Sequence, residues 1–251
     1  MMSESPFQEL VAIMQRLRGP NGCPWDLKQN HQTLIPYLIE EAYELIEAIE
    51  ANDSLAMREE LGDLMLQIVF HAQLASERGD FNADDVCRAI NDKMVRRHPH
   101  VFGQQAGLES AEEVLQQWEV LKSQEKEGPR SVLEGVSSGL PALPQAALLQ
   151  QRVRRQGFAY PDVESAWSKF EEELCEFRSS PSPEEFGDML FALVSVAHFH
   201  GIDPEAALRS TNRKFRQRYQ RLEERFSGSL PQQSSETLHA AWNELKARSQ
   251  P

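Results

Sequence analysis

Apolar residues along the chain recur at helical spacing. Between Phe7 and Arg18 they fall at positions 7, 10, 11, 13, 14 and 17, the rhythm of one buried helix face. Gly19-Pro20-Asn21-Gly22-Cys23-Pro24 ends that helix. Leu34–Glu50 carries Leu38, Ala42, Leu45 and Ile49 on one stripe. Asn52-Asp53-Ser54 breaks it and supplies a cap for the next helix, Leu55–Arg78, with Leu61, Leu64, Met65 and Ile68. Further helices are predicted at Ala83–Arg97, closed by His98-Pro99-His100, and at Glu109–Lys126. A stretch from Gly128-Pro129-Arg130 to Leu140-Pro141 has the Gly, Ser and Pro content of a linker. Helical patterning then resumes at Pro144–Gln156, Val163–Arg178, Pro183–His200, Pro204–Phe226 and Ser235–Arg248. Runs of alternating β-branched residues are missing from the sequence, so the expected fold class is all-α.

The second half repeats the first. Leu38-Ile-Glu-Glu-Ala-Tyr-Glu44 matches Phe170-Glu-Glu-Glu-Leu-Cys-Glu176, and Glu59-Glu60-Leu61-Gly62-Asp63-Leu64 matches Glu184-Glu185-Phe186-Gly187-Asp188-Met189. Asn91-x-Lys93-Met94-x-x-Arg97 matches Asn212-x-Lys214-Phe215-x-x-Arg218. Trp118 with Leu121-Lys122 matches Trp242 with Leu245-Lys246. Recurrence in the same order predicts two tandem helical modules, 1–127 and 128–251.

Charge adds a direction. With 26 basic and 39 acidic residues the formal net charge is −13, which disfavours direct nucleic-acid or anionic-membrane binding and suits cations. The three cysteines lie far apart and form no CxxC, so reduced thiols and a cytoplasmic location are expected. The start lacks the basic and apolar regions of a signal peptide. The longest apolar stretches run to about nine residues, against the ~20 a bilayer requires, so no membrane span is expected.

The acids are concentrated in Glu40-Glu41-x-x-Glu44 with Glu60-x-x-Asp63, and in Glu172-Glu173-x-x-Glu176 with Glu185-x-x-Asp188. On a helix, residues three apart lie about 60° from one another and share a face. If each helix pair folds back as an antiparallel hairpin, Glu41 meets Asp63 and Glu44 meets Glu60, because both pairs are centred on position 52, in the Asn52-Asp53-Ser54 break. Glu173 with Asp188, and Glu176 with Glu185, are centred between 180 and 181, inside Ser179-Ser180-Pro181-Ser182-Pro183. Four converging carboxylates repel unless a cation neutralises them. All-oxygen anionic ligands suit Mg²⁺, with Mn²⁺ as the alternative. A lone EExxE is ordinarily a solvated face; the mirrored ExxD and its repetition favour metal. Without these ten acids the chain has 29 acids against 26 bases.

Other candidates are weaker alone. Lys93 with Arg97, and Lys214 with Arg218, are i, i+4 pairs able to hold phosphate oxygens, although such pairs more often face solvent or a neighbouring helix. Trp118 and Trp242 have the faces to stack on a base, although isolated tryptophans are more often core. Lys122 and Lys246 accompany them, and Trp25 follows the rigid Gly22-Cys23-Pro24 turn. Glu236-x-x-His239 is a single ExxH where a di-iron bundle needs two, so a surface role is expected. The sequence contains no HExxH, P-loop, GxGxxG or GxSxG.

At these residues the chain resembles the MazG nucleoside triphosphate pyrophosphohydrolases in their two-module form. The resemblance rests on Gly22-Cys-Pro-Trp-Asp26, both EExxE…ExxD pairs, Arg96-Arg97-His98-Pro99-His100-Val101-Phe102, Leu140-Pro141-Ala142-Leu143, and Trp242 with Lys246. It implies an all-α homodimer and Mg²⁺-dependent cleavage of NTPs and dNTPs to monophosphate and pyrophosphate. It also implies metal binding at Glu41, Glu44, Glu60 and Asp63 and at Glu173, Glu176, Glu185 and Asp188, with nucleotide contacts at Lys214, Arg218 and Trp242. In relatives the second module is chiefly credited with hydrolysis. Here only eight residues separate Glu176 from Glu185, where fifteen separate Glu44 from Glu60.

On this reading Glu40 and Glu172 are the candidates to orient or deprotonate the attacking water, and the role is nucleotide-pool house-cleaning. Two alternatives stay open: a nucleotide-binding regulatory module with one or both sites silent, and a helical scaffold with solvated acidic faces.

Overall fold

The computed structural model describes residues 5–103, 110–124, 131–227 and 230–248. Among its described residues the regular secondary structure is all helical, with no strand. Close packing divides the chain into two compact units, Met1–Glu127 and Gly128–Pro251.

The first unit comprises α1 (Pro6–Leu17), α2 (Pro24–Lys28), α3 (Ile35–Ala51), α4 (Ser54–Glu77), α5 (Ala83–Arg97), α6 (Pro99–Phe102) and α7 (Ala111–Gln124). Several of the long helices start where side chains satisfy orphan backbone N–H groups, whereas α3 starts at Leu34 without a side-chain cap and has Pro36 in its first turn. Ser5 and Gln8 form a capping box at α1, and Asn82 and Asp85 form another at α5. α3 stops at Asn52, which takes the left-handed conformation (φ 53°) that asparagine tolerates better than branched residues. α3 and α4 pack as a hairpin, and α1 lies on α4. Between α1 and α4, Met14, Leu34, Val69, Phe70 and Leu74 form a buried cluster with Phe7, Leu10, Val11 and Leu66 against it.

The second unit comprises α8 (Ala142–Arg154), α9 (Val163–Ser179), α10 (Pro183–Phe199), α11 (Pro204–Phe226), a 3-10 turn (Leu230–Gln232) and α12 (Ser235–Arg248). Asp162, Ser182 and Asp203 cap α9, α10 and α11. α9 and α10 pack as the second hairpin, and α8 covers α10. A buried polar link ties α8 to α10: Gln150 donates to the Phe191 carbonyl at 2.7 Å and accepts from the Ser195 hydroxyl at 2.9 Å. Burying this amide is tolerated because both of its ends are satisfied.

The helices fall within a residue or two of their predicted spans. The periodicity overlooked α2 and α6, each too short to show a repeat, and both begin at a proline. Glu109 and Lys126, the predicted ends of α7, lie outside the described residues.

Candidate metal and nucleotide site

The first acidic group is drawn from both arms of the α3–α4 hairpin. Asp53 starts α4 by accepting from the Leu55 and Ala56 N–H groups at 3.0 and 3.1 Å. This tight turn, with Asn52, sets the helix register. Glu41 from α3 and Glu60 and Asp63 from α4 then bring carboxylate oxygens within 4.8 Å of one another, all half-buried. Burial first, then Asp63, Glu44 and Glu60, push the Glu41 carboxyl above its usual range. Burial, then Glu44 and Asp63, do the same to Glu60.

The second hairpin repeats the arrangement. Ser182 caps α10 by accepting from the Glu185 N–H at 3.1 Å, and the Phe177 and Phe186 rings pack 5.4 Å apart near the tip. Glu173 from α9 and Glu185 and Asp188 from α10 bring oxygens within the same 4.8 Å. Burial, then Glu176 and Asp188, raise Glu185. Glu44 and Glu176 are exposed and stand outside the two trios, although each acts on its trio through charge. Each hairpin thus concentrates negative charge on hard oxygen donors, and the donor sets fit a divalent cation.

A family model described as the MazG nucleotide pyrophosphohydrolase domain matches residues 29–102, which include the first hairpin and α5. Over 223 residues the chain is 48% identical to a protein of Thermotoga maritima named nucleoside triphosphate pyrophosphohydrolase/pyrophosphatase MazG. That match covers 87% of this chain and 86% of the relative. The chain belongs to the MazG family. An Escherichia coli protein named nucleoside triphosphate pyrophosphohydrolase is 39% identical over 255 residues, covering 96% of this chain and 97% of that protein. The Bacillus subtilis protein YabN is 47% identical across 96% of this chain and 51% of its own length.

Within this family frame, the other predicted residues fall as follows. Glu40 and Glu172 lie exposed beside the trios. On α5, Arg97 sets its guanidinium 5.2 Å from the centre of the Trp118 ring, and His98 meets the same ring at 5.0 Å. Two predicted nucleotide contacts are therefore packed on each other. Lys93 is half-buried one turn back, and the side chain of Lys122 lies outside the described residues. On α11, Lys214 is exposed and Arg218 half-buried; Trp242 packs on Phe215 at 5.0 Å, and Lys246 is exposed. Trp25 is 48% exposed and sits edge-on to Tyr37 at 5.7 Å and Phe70 at 6.5 Å. Glu236 and His239 are exposed.

Two further residues shape the surroundings of these sites. Lys169 Nζ lies 2.8 Å from Glu172 and 2.7 Å from Glu173, which hold its ammonium far above the ordinary lysine range. Its i, i+3 and i, i+4 spacing was legible. Arg18 forks onto Glu77 through Nε and Nη2, each at 2.7 Å, and donates to the Asp26 carbonyl. It ties α1, α4 and the Trp25-bearing α2 together. No sequence signal marked it.

Proposed function

We propose that the chain hydrolyses nucleoside triphosphates, NTPs and dNTPs, to nucleoside monophosphate and pyrophosphate, and that Mg²⁺ is held by the two acidic trios. Mn²⁺ has the same ligand preferences and is the expected substitute. The observation that carries this reading is the mirrored trio: the same three carboxylates, on the same hairpin, in each half of a MazG-family chain. It supports treating both units as MazG-like modules. When bound, the cation supplies neutralisation of the polyphosphate and acidifies water in the site.

The chain's own residues do the rest. Glu41, Glu60 and Asp63, with Glu44 beside them, hold the cation in the first unit; Glu173, Glu185 and Asp188, with Glu176, hold it in the second. Glu40 and Glu172 sit next to these ligands in sequence and orient the attacking water or take its proton. Lys93, Arg97, Lys214, Arg218 and Lys246 balance phosphate charge, with Lys122 assigned to the same work by its repeat position. Trp25, Trp118 and Trp242 offer faces to the base.

The assembly is a homodimer, the role is cleansing the nucleotide pool, and the setting is the cytoplasm. Among the described residues, no helix is long and apolar enough to cross a membrane. Exposed apolar side chains on the first hairpin, Leu38, Ile39, Ile49, Leu61, Met65 and Ile68, support the dimer.

The test is product identity. Incubated with Mg²⁺ and ATP, the chain is expected to yield AMP and pyrophosphate by ³¹P NMR. Accumulation of ADP and orthophosphate would mean cleavage at the other phosphoanhydride bond and would refute the pyrophosphohydrolase reading. A nucleotide panel under the same conditions ranks base and sugar preference.

A further inference from the structure

The two acidic trios have the same donors and different counter-charges. In the second unit Lys169 Nζ sits 2.7 Å from Glu173 Oε1 and 2.8 Å from Glu172 Oε1. Glu173 is the one buried member of either trio. Its side chain is 9% exposed and that of Lys169 35%, so this pair is only partly screened by water. In the repeat register that matches Leu38 to Phe170, the position of Lys169 is occupied in the first unit by Tyr37. Tyr37 brings no cation, and its ring packs edge-on to Trp25. The helix termini add to the contrast. Glu185 lies in the first turn of α10, where the backbone dipole favours anions, whereas Glu60 lies beyond the first turn of α4.

A divalent cation entering the second trio meets an ammonium already on Glu173. If the ammonium leaves, two charge-assisted hydrogen bonds are lost; if it stays, two cations share one carboxylate. Either outcome weakens metal binding. We propose that Lys169 is an internal counter-ion that makes the second trio the weaker divalent-cation site, so that metal loads first at Glu41, Glu60 and Asp63. This inference rests on the trios being the metal sites. It gives the two halves distinct metal requirements: the second trio reaches half-occupancy only at cation concentrations where the first is already mostly occupied.

The experiment is Mn²⁺ binding to the full chain without nucleotide, followed by calorimetry and by the loss of the free-ion electron paramagnetic resonance signal. Glu185→Gln leaves the first site to be read, and Glu60→Gln leaves the second. The first site is expected to bind roughly five- to tenfold more tightly, as befits one partly exposed charge-assisted pair. Adding Lys169→Met to Glu60→Gln is expected to recover most of that factor, and Lys169→Arg to recover none. Circular dichroism of each variant checks that α9 remains folded. Equal affinities, or a Lys169→Met change that leaves the second site unaltered, would overturn the inference and leave the metal assignment standing. Failure of the wild-type chain to bind Mn²⁺ at all would overturn the metal assignment itself, and the counter-ion role with it.

Discussion

Glu41 and Asp63 face each other across the α3–α4 hairpin with carboxylate oxygens inside a 4.8 Å cluster, and Asp63 is the strongest single charge raising the Glu41 pKa. Two like charges held this close by a rigid turn store repulsion that a cation relieves. Glu173 and Asp188 are brought together in the same way across the α9–α10 hairpin. Function and stability therefore pull against each other at Glu41 and Glu60 in the first hairpin and at Glu185 in the second.

Removing one ligand charge tests function. Glu60→Gln and Glu185→Gln each keep side-chain size and remove one negative oxygen from a trio. Each is expected to lower turnover by its own module, by roughly 10²-fold or more at limiting Mg²⁺, because the remaining donors cannot replace an anionic ligand. The double variant is expected to be inactive. Full activity in the double variant, measured as pyrophosphate release, would remove the trios from the reaction.

The same substitution has the opposite effect on the metal-free fold. The folded-state pKa values of Glu41, Glu60 and Glu185 are raised. A raised value means the folded chain binds the proton more tightly than the unfolded chain does. The stabilisation is thus complete below the ordinary value of 4.5 and is lost as pH rises through the raised one. At pH 7 without metal, Glu60→Gln is expected to melt at a higher temperature than wild type. The difference should vanish below pH 4.5, where wild-type Glu60 is protonated in both states. Saturating Mg²⁺ should reverse the order, since it stabilises the better binder. Thermal melts over this pH range check all three statements.

Arg18 is expected to matter for stability and for the setting of Trp25. Its side chain is 7% exposed and its fork onto Glu77 joins α1 to α4. Arg18→Met removes the charge and strands the partner, at a cost of about 2 kcal/mol, below the fully buried range because Glu77 keeps contact with water. Glu77 is held below its usual range chiefly by its hydrogen bond from Arg18, so this contribution is present above 4.5 and fades as pH falls through the lowered value. Urea titration reads the stability loss, and Trp25 fluorescence should shift before the main transition.

Dimerisation is tested by placing charge on the exposed hairpin face. Ile39 is 51% exposed, so Ile39→Lys costs the isolated unit little and places a charge where a second chain would pack. Light scattering at micromolar concentration is expected to show a dimer for wild type and a shift towards monomer for the variant. A wild-type monomer would refute the dimer.

Much of this was legible along the chain. Helix spans follow from local periodicity, and the ends follow from caps such as Asp53, Asn82, Asp162 and Ser182, whose partners lie two or three residues away. The facing of Glu41 and Asp63 could also be anticipated, because a tight turn converts equal distance from position 52 into spatial opposition. Glu44 was expected to converge as well. It is exposed and stands outside the trio, as Glu176 does in the second hairpin, although each still acts on its trio through charge.

By itself, then, the sequence determined the all-α architecture and the helix hairpins that carry the acidic residues, because these depend on neighbours a few residues apart. Only tertiary structure decided which carboxylates meet, that Arg97 and His98 pack on Trp118, and that Arg18 reaches Glu77. It also decided that Lys169 rests on the buried Glu173 while Tyr37, at the same repeat position, turns to Trp25. Apart from the Lys169–Glu173 pair, whose i, i+4 spacing lies within one helix, those outcomes depend on side-chain rotamers chosen by packing between distant segments, and no local period records that choice.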